Sequence, residues 1–133
     1  MRKEIVGLAA AVLLAGCQQG VSEQPPTPSK GAFGALVEEV LAPHCARPGC
    51  HTGDRPAGGL HLGDDRAYDD LVNAPAHRRP DRKRVVPGDP AASYLLDRIT
   101  EGGDRPLMPL GADPLSDAEI RRIEEWIREG APR

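Results

Sequence analysis

Apolar residues recur with helical spacing in four stretches of the chain, and glycine- and proline-rich segments separate these stretches. In the first stretch the i, i+3, i+4, i+7 and i+8 positions are Phe33, Leu36, Val37, Val40 and Leu41. This spacing predicts a helix with one apolar face, which Pro43 is expected to end. A shorter second helix is predicted from Asp64 to Leu71, with Asp64 or Asp65 as its N-cap.

The third helix is predicted from its boundary residues. Asp89 is a good N-cap, Pro90 suits the first helical position, and Gly102 is placed to end the helix. The predicted buried stripe comprises Ala92, Leu95, Leu96 and Ile99. The preceding basic segment, from His77 to Arg84, is read as a solvated loop.

The last helix has the strongest local signals. Ser116 and Glu119 have the spacing of a capping box, and Leu115 and Ile120 have that of a hydrophobic staple. Its apolar face comprises Ile120, Ile123, Trp126 and Ile127, and Gly130 with Pro132 marks its end. We expect this face to cover the first helix, with Trp126 making the largest contribution to the contact.

The N-terminus has the pattern of a bacterial lipoprotein signal. Residues 1–16 combine a short positive start with an apolar run too short to span a bilayer, and Cys17 follows small residues. Cleavage before Cys17 would leave it as a lipid-modified N-terminus. Residues 17–30 are then a flexible proline-rich tether, and residues 31–133 are the folded domain. This organisation predicts an extracytoplasmic protein anchored to a bacterial membrane by lipid.

Composition narrows the possible functions. A chain of 133 residues allows one domain, and 39% hydrophobic with 3% aromatic residues is lean for a self-sufficient core. A buried cofactor would compensate for this. The formal net charge of −3 argues against nucleic-acid binding. The chain contains no nucleophile motif of the kind that would indicate a hydrolytic enzyme.

The segment Cys45-Ala46-Arg47-Pro48-Gly49-Cys50-His51 follows the first helix directly. Two thiols with a histidine after the second cysteine indicate covalent haem attachment, in which that histidine binds the iron. Four residues separate the cysteines instead of the usual two. Two alternatives stay open: a Cys45–Cys50 disulfide in a cofactor-free interaction module, and a zinc site of Cys45, Cys50 and His51 with His44 or His61.

Met108 is the only methionine after the signal segment, and Pro106 and Pro109 bracket it in an apolar loop. Its position downstream of the cysteine motif suits a second axial ligand of haem. His61 and His77 are fallback candidates for that position. In the basic segment, Arg82 and Arg84 are candidate contacts for haem propionates, because a planar guanidinium pairs well with carboxylates.

Four features together resemble a small c-type cytochrome domain, with cytochrome c-like lipoproteins of environmental bacteria as the nearest likeness. They are the cysteine motif, the entry Val86-Pro87-Gly88-Asp89-Pro90, the pair Met108-Pro109, and the capped helix from Leu115 to Ile127. The resemblance implies an all-α fold around one covalently bound haem, with the N- and C-terminal helices crossing beside it. It also implies thioethers to Cys45 and Cys50, with His51 as proximal ligand and Met108 as distal ligand.

The resulting expectation is an electron carrier, not an enzyme. Its iron would cycle between Fe(III) and Fe(II), with a redox protein as its partner. We expect a monomer, held by lipid on Cys17. Gln18 gives no reason for retention at the inner membrane, so the outer membrane, facing the periplasm, is favoured.

Overall fold

The computed structural model describes residues 31–102 and 105–133. Helix α1 is one continuous helical run with three parts: an α-helical Ala32–Leu36, a π-helical Val37–Leu41 and an α-helical Ala42–Cys45. A 3₁₀ turn, Ala57–Gly59, precedes helix α2, Arg66–Leu71. Strands β1, Pro75–Ala76, and β2, Arg79–Lys83, are followed by helices α3, Tyr94–Thr100, and α4, Asp117–Arg128. Among these residues, no helix has both the length and the apolar character needed to cross a bilayer.

The core lies between α1 and α4, as the apolar stripes predict. All five stripe residues of α1 are buried, together with Ile123, Trp126 and Ile127 of α4. Phe33 links the helices, because its ring centroid lies 5.1 Å from that of Trp126 and 5.2 Å from that of Tyr68. The Trp126 indole donates to the carbonyl of Pro132 at 2.8 Å, so its polar edge is satisfied within the core.

Helix α1 passes through Pro43, so the prediction that this residue ends the helix is wrong. In the π-helical part the hydrogen bonds span five residues, as in the bond from the Ala42 N–H to the Val37 carbonyl. Pro43 then lies in the first turn of the following α-helical part, where a missing N–H is tolerated. The helix therefore continues until Cys45.

Helix α4 is built as its sequence predicts. The Ser116 hydroxyl accepts the Glu119 N–H at 3.4 Å, and the Glu119 carboxylate accepts the Ser116 N–H at 2.8 Å. Leu115 is buried and Ile120 is half-buried against the same core. The capping box and the apolar face thus fix both the start and the orientation of α4.

The third helix begins later than predicted, at Tyr94 with Ser93 as its N-cap. Asp89 caps a preceding turn instead, where its carboxylate accepts the Ala92 N–H at 3.0 Å. The fully buried Ser93 hydroxyl accepts the Val86 N–H at 2.9 Å and donates to the Asp89 carbonyl at 2.8 Å. These bonds hold the backbone in turns up to Ser93.

The basic segment is not a plain loop, because β2 lies within it and pairs antiparallel with β1, which directly precedes it. The sheet is small and largely exposed, and Val72 and Val85 add a parallel bridge beside it. The all-α fold predicted from the sequence did not anticipate this two-stranded sheet. That the fold surrounds a haem stays a prediction.

Candidate functional site

The cysteine loop, residues 45–51, is closed by its own backbone. Cys45 is the last residue of α1, and its carbonyl accepts the His51 N–H at 3.1 Å. Within the loop, the Cys50 N–H donates to the Arg47 carbonyl at 2.9 Å across Pro48 and Gly49. Proline followed by a glycine with φ +81° is the sequence typical of a type II turn. The two extra residues of the motif are therefore taken up in a tight turn that returns Cys50 towards Cys45.

Both thiols of this loop are free, and their surroundings differ. Cys45 packs against the hydrophobic core. Burial raises the pKa of its thiol to about 11, with smaller contributions from Cys50 and from the Glu119 carboxylate. Cys50 instead lines an open cleft. The thiols thus lie close enough to interact electrostatically, and of the two only Cys50 lines this cleft.

His51 is half-buried, and its Nδ1 atom is buried without a hydrogen-bond partner. Burial lowers the pKa of the imidazole, while the nearby backbone of Leu60 and Ala57 acts to raise it and the Arg84 charge acts to lower it. The backbone is anchored separately, since the His51 carbonyl accepts the Leu62 N–H at 2.9 Å. A buried, unpartnered polar atom in a folded protein calls for an explanation such as a bound ion or a redox role.

The loop carrying Met108 is held in place by Arg98 of α3. The Met108 N–H donates to the Arg98 carbonyl at 2.8 Å, and the Arg98 guanidinium donates to the carbonyls of Gly102 and Pro106. The Met108 side chain is half-buried against the core. Sequence reasoning missed this role of Arg98, although a cation near a helix C-terminus commonly binds free carbonyls.

The cysteine loop and the methionine loop face each other across a cleft of about 280 Å³. Its lining comes from both loops and the end of α1: His44, Arg47, Pro48, Cys50, Pro109, Leu110, Gly111 and Ala112. Leu110 is conspicuously exposed for a large apolar residue, at 64%. Met108 and His51 adjoin the lining residues Pro109 and Cys50 in sequence and do not themselves line the cleft. Its volume lies just below the roughly 300–1,000 Å³ of small-molecule pockets.

The two candidate arginines differ in their contacts. Arg82 forms an ion pair with Asp97 and lies over the Tyr94 ring, 5.4 Å from its centroid. Arg84 donates to the carbonyls of Asp70 at 2.6 Å and Gly58 at 2.7 Å. Its charge also acts on the His51 imidazole. Arg84 is therefore the arginine associated with the histidine, which the sequence did not reveal, while Arg82 is neutralised by a carboxylate.

The remaining histidines have other partners or positions. His44 Nε2 lies 2.7 Å from a Glu119 carboxylate oxygen, and His61 Nδ1 lies 2.8 Å from one of Asp70. His61 Nε2 also lies 3.2 Å from the Gly53 carbonyl, and His77 is exposed. Within residues 31–102 and 105–133, no three His, Cys, Asp or Glu side chains are grouped to hold a metal ion. The structure therefore offers no support for the zinc alternative. Cys17 and its flanking segments lie outside the described residues.

Comparison with known proteins indicates the class to which this site corresponds. One family model, described as Planctomycete cytochrome C, matches residues 48–109. The match supports a cytochrome c-like domain, which fits an electron-transfer haem protein better than an enzyme. This range contains Cys50, His51 and Met108, and it begins after Cys45. No curated protein and no solved structure matches the chain.

Proposed function

We propose that this chain is a monohaem c-type cytochrome that carries single electrons outside the cytoplasm while anchored to a membrane. The observation that carries the proposal is the cleft between the cysteine and methionine loops, because the range that matches a cytochrome family begins in the first loop and ends in the second. Two free thiols and a buried histidine nitrogen without a partner fit a covalently held haem. Haem, when bound, supplies an iron that cycles between Fe(III) and Fe(II).

The chain's own residues would divide the work of holding this group. Cys45 and Cys50 would form thioethers, while His51 and Met108 would be the axial ligands. With His51 and Met108 both holding the iron, no position on it would be left for a substrate, which would suit a carrier. A thioether ligand also raises the reduction potential relative to a second histidine. Arg84, whose charge acts on the His51 imidazole, is the favoured one of the two candidate propionate contacts.

Burial on the ligand side would keep water from the iron. Leu95, Leu96 and Met108 are half-buried against the core, and Leu60 and Ala57 flank the histidine. Leu110, in contrast, is not buried: it is largely exposed beside the cleft. We propose this exposed edge as the side that approaches a redox partner, because electrons pass most readily where the cofactor comes nearest to the surface. The fold of the carrier would be a cytochrome c-like helical domain, acting as a monomer.

The anchor would be lipid attached to Cys17, followed by the proline-rich tether of residues 17–30. The proposal rests on the lipoprotein-type signal in the sequence and favours the outer membrane, facing the periplasm. Cys17→Ser should release the protein from the membrane fraction without changing its visible spectrum. A Cys17→Ser protein that stays in the membrane fraction would contradict lipid anchoring at this residue.

The proposed function is tested by expressing the full chain with its export signal and a haem-attachment system. The purified protein should be coloured, and its haem should resist acid-acetone extraction. Met108→Ala should remove the thioether-to-iron charge-transfer band of the oxidised protein. Met108→Gln should lose the same band, and its unbranched side chain is expected to keep the fold. Colourless protein whose intact mass shows a Cys45–Cys50 disulfide would instead support the cofactor-free interaction module.

A further inference from the structure

The segment that follows His51, residues 52–62, folds back towards this histidine and is called the strap below. Near its middle, the Ala57 N–H donates to the Cys50 carbonyl at 2.9 Å. At its end, the Leu62 N–H donates to the His51 carbonyl at 2.9 Å. The backbone of Ala57 also lies near the imidazole, because it acts on the pKa of that ring. The position of His51 therefore depends on what holds the strap.

Arg84 holds the middle of the strap. Its guanidinium donates to the Gly58 carbonyl at 2.7 Å and to the Gly59 carbonyl at 3.5 Å. The same guanidinium donates to the Asp70 carbonyl at 2.6 Å, so it joins the strap to helix α2. Hydrogen bonds from a charged donor are stronger than neutral ones, and one planar guanidinium can bind several carbonyls at once. Arg84 is thus a bridge between the strap and the rest of the fold.

The side chain of Asp70 holds the end of the strap. Its Oδ2 atom accepts the His61 N–H at 2.8 Å and lies 2.8 Å from His61 Nδ1. His61 Nε2 in turn lies 3.2 Å from the Gly53 carbonyl, near the beginning of the strap. Asp70 therefore takes part in both holds, because its carboxylate fixes His61 and its carbonyl fixes the Arg84 guanidinium.

Resting on the proposed function, we propose that Arg84 is a positioning residue that holds His51 through the strap, and that its fixed charge favours the reduced iron. Arg84 is half-buried and binds neutral carbonyls, whereas Arg79 in strand β2 pairs with the Asp81 carboxylate. Burial lowers the pKa of Arg84 more than the nearby Asp70 raises it, so this carboxylate does not cancel the effect of burial. A cation fixed near an iron ligand opposes the extra positive charge of Fe(III).

The hold on the strap is tested by hydrogen exchange and mass spectrometry on the protein as purified, with or without haem. In Arg84→Gln, a peptide spanning residues 52–62 should exchange at least about tenfold faster than in the wild type, because the strap opens more often. A peptide from α4 is the internal reference for global unfolding and should change less. Asp70→Asn, which weakens the hold on His61, should also speed exchange of the strap. Unchanged exchange in both variants would overturn the positioning role.

The effect of the charge is tested by redox titration of the haem-loaded proteins. Arg84→Gln should have a lower reduction potential than the wild type. Arg84→Lys keeps the charge without the planar fork, so its potential should stay near that of the wild type while its strap exchanges faster. Arg79→Gln removes a cation that is already paired with Asp81, and it should change neither readout.

The possible failures can be told apart. An unchanged potential in Arg84→Gln, or an equal fall in Arg79→Gln, would overturn the role of the charge and leave the proposed function intact. Wild-type protein that takes up no haem would overturn the proposed function. In that case the exchange experiment would still decide whether Arg84 holds the strap, because it needs no haem. Far-ultraviolet circular dichroism checks that each variant folds.

Discussion

Gly49 lies at the centre of the turn that takes up the two extra residues of the cysteine motif, and Gly49→Ala tests whether this turn matters. The backbone of Gly49 has φ +81°, which is in the left-handed region, and a Cβ placed there would meet no heavy atom within 4 Å. The cost of the substitution is therefore backbone strain alone, about 1–2 kcal/mol. With a urea dependence of about 1–3 kcal/mol per molar, the unfolding midpoint should fall by roughly 1 M.

Gly88→Ala is a matched control for this substitution. Gly88 has φ +80°, and a Cβ there would also have no neighbour within 4 Å, but the residue lies in a turn that is remote in sequence from the cysteines. The two variants should therefore lose similar stability in urea unfolding followed by tryptophan fluorescence. Only Gly49→Ala should reduce the fraction of protein with covalent haem, because only this turn sets the separation of the two sulfurs.

Two results would refute this reasoning. If Gly49→Ala leaves the urea midpoint unchanged, the left-handed turn is absent in solution. If both variants reduce haem attachment equally, general destabilisation explains the loss, and the turn has no specific role in placing the thiols.

Three further substitutions test other parts of the structure. Ser116→Ala should lower the free energy of unfolding by about 1 kcal/mol through loss of the capping box. Because the bonds to Ser116 lower the pKa of Glu119, this loss should be present above about pH 5 and should shrink as acid protonates Glu119. Urea titrations at each pH measure it. Tyr68→Phe removes the 2.9 Å bond from the phenol to the Ala131 carbonyl and should cost about 1 kcal/mol, with a Tyr94→Phe variant as the comparison that retains this bond. Arg84→Gln should cost about 2 kcal/mol because it frees the carbonyls of Asp70 and Gly58, whereas Arg82→Gln, which breaks a partly exposed ion pair, should cost under about 1 kcal/mol. An Arg82 variant as destabilised as the Arg84 variant would contradict the assigned contacts.

Helix α4 could be predicted almost completely, because its signals are local. The capping box spans four residues, and the apolar stripe repeats within the helix itself. The start of the third helix could not be predicted in the same way. Asp89-Pro90 is a good helix start in isolation, but the outcome depends on burial of the Ser93 hydroxyl between Val86 and Asp89, which no local pattern indicates.

The hairpin of β1 and β2 escaped prediction for a related reason. Strand β2 reads Arg-Pro-Asp-Arg-Lys, with no alternation of apolar residues and with a proline inside it. Its position is set by pairing with β1 and by the bridge between Val72 and Val85, both of which are tertiary. The fully buried Val85 holds the end of this segment in the core, which in turn brings its neighbour Arg84 towards the site.

The candidate site was predictable in its residues and not in its connections. The sequence indicated that Cys50, His51 and Met108 belong together, and the family match over residues 48–109 covers all three. The sequence did not indicate that Arg98 holds the methionine loop through backbone carbonyls, or that the Arg84 charge acts on His51. Arg84 acts on groups distant in sequence, and charged segments of a chain are more often solvated than structural. Arg98 acts on nearby carbonyls, but its contacts depend on how the loop after α3 folds back.

Glu119 connects the start of helix α4 to the end of helix α1. Its carboxylate caps helix α4 through Ser116, and its other oxygen lies 2.7 Å from Nε2 of His44, the residue before Cys45. The same carboxylate contributes to the raised pKa of the Cys45 thiol. The start of α4 thus holds the end of α1, next to Cys45. Glu119→Gln should therefore weaken the cap and also raise the rate at which iodoacetamide alkylates Cys45 relative to Cys50, as read by peptide mass spectrometry. Glu124→Gln, at an exposed i, i+4 pair with Arg128 in the same helix, should leave the ratio of the two rates unchanged. A Glu119→Gln protein with an unaltered ratio would show that the two helix ends are not coupled.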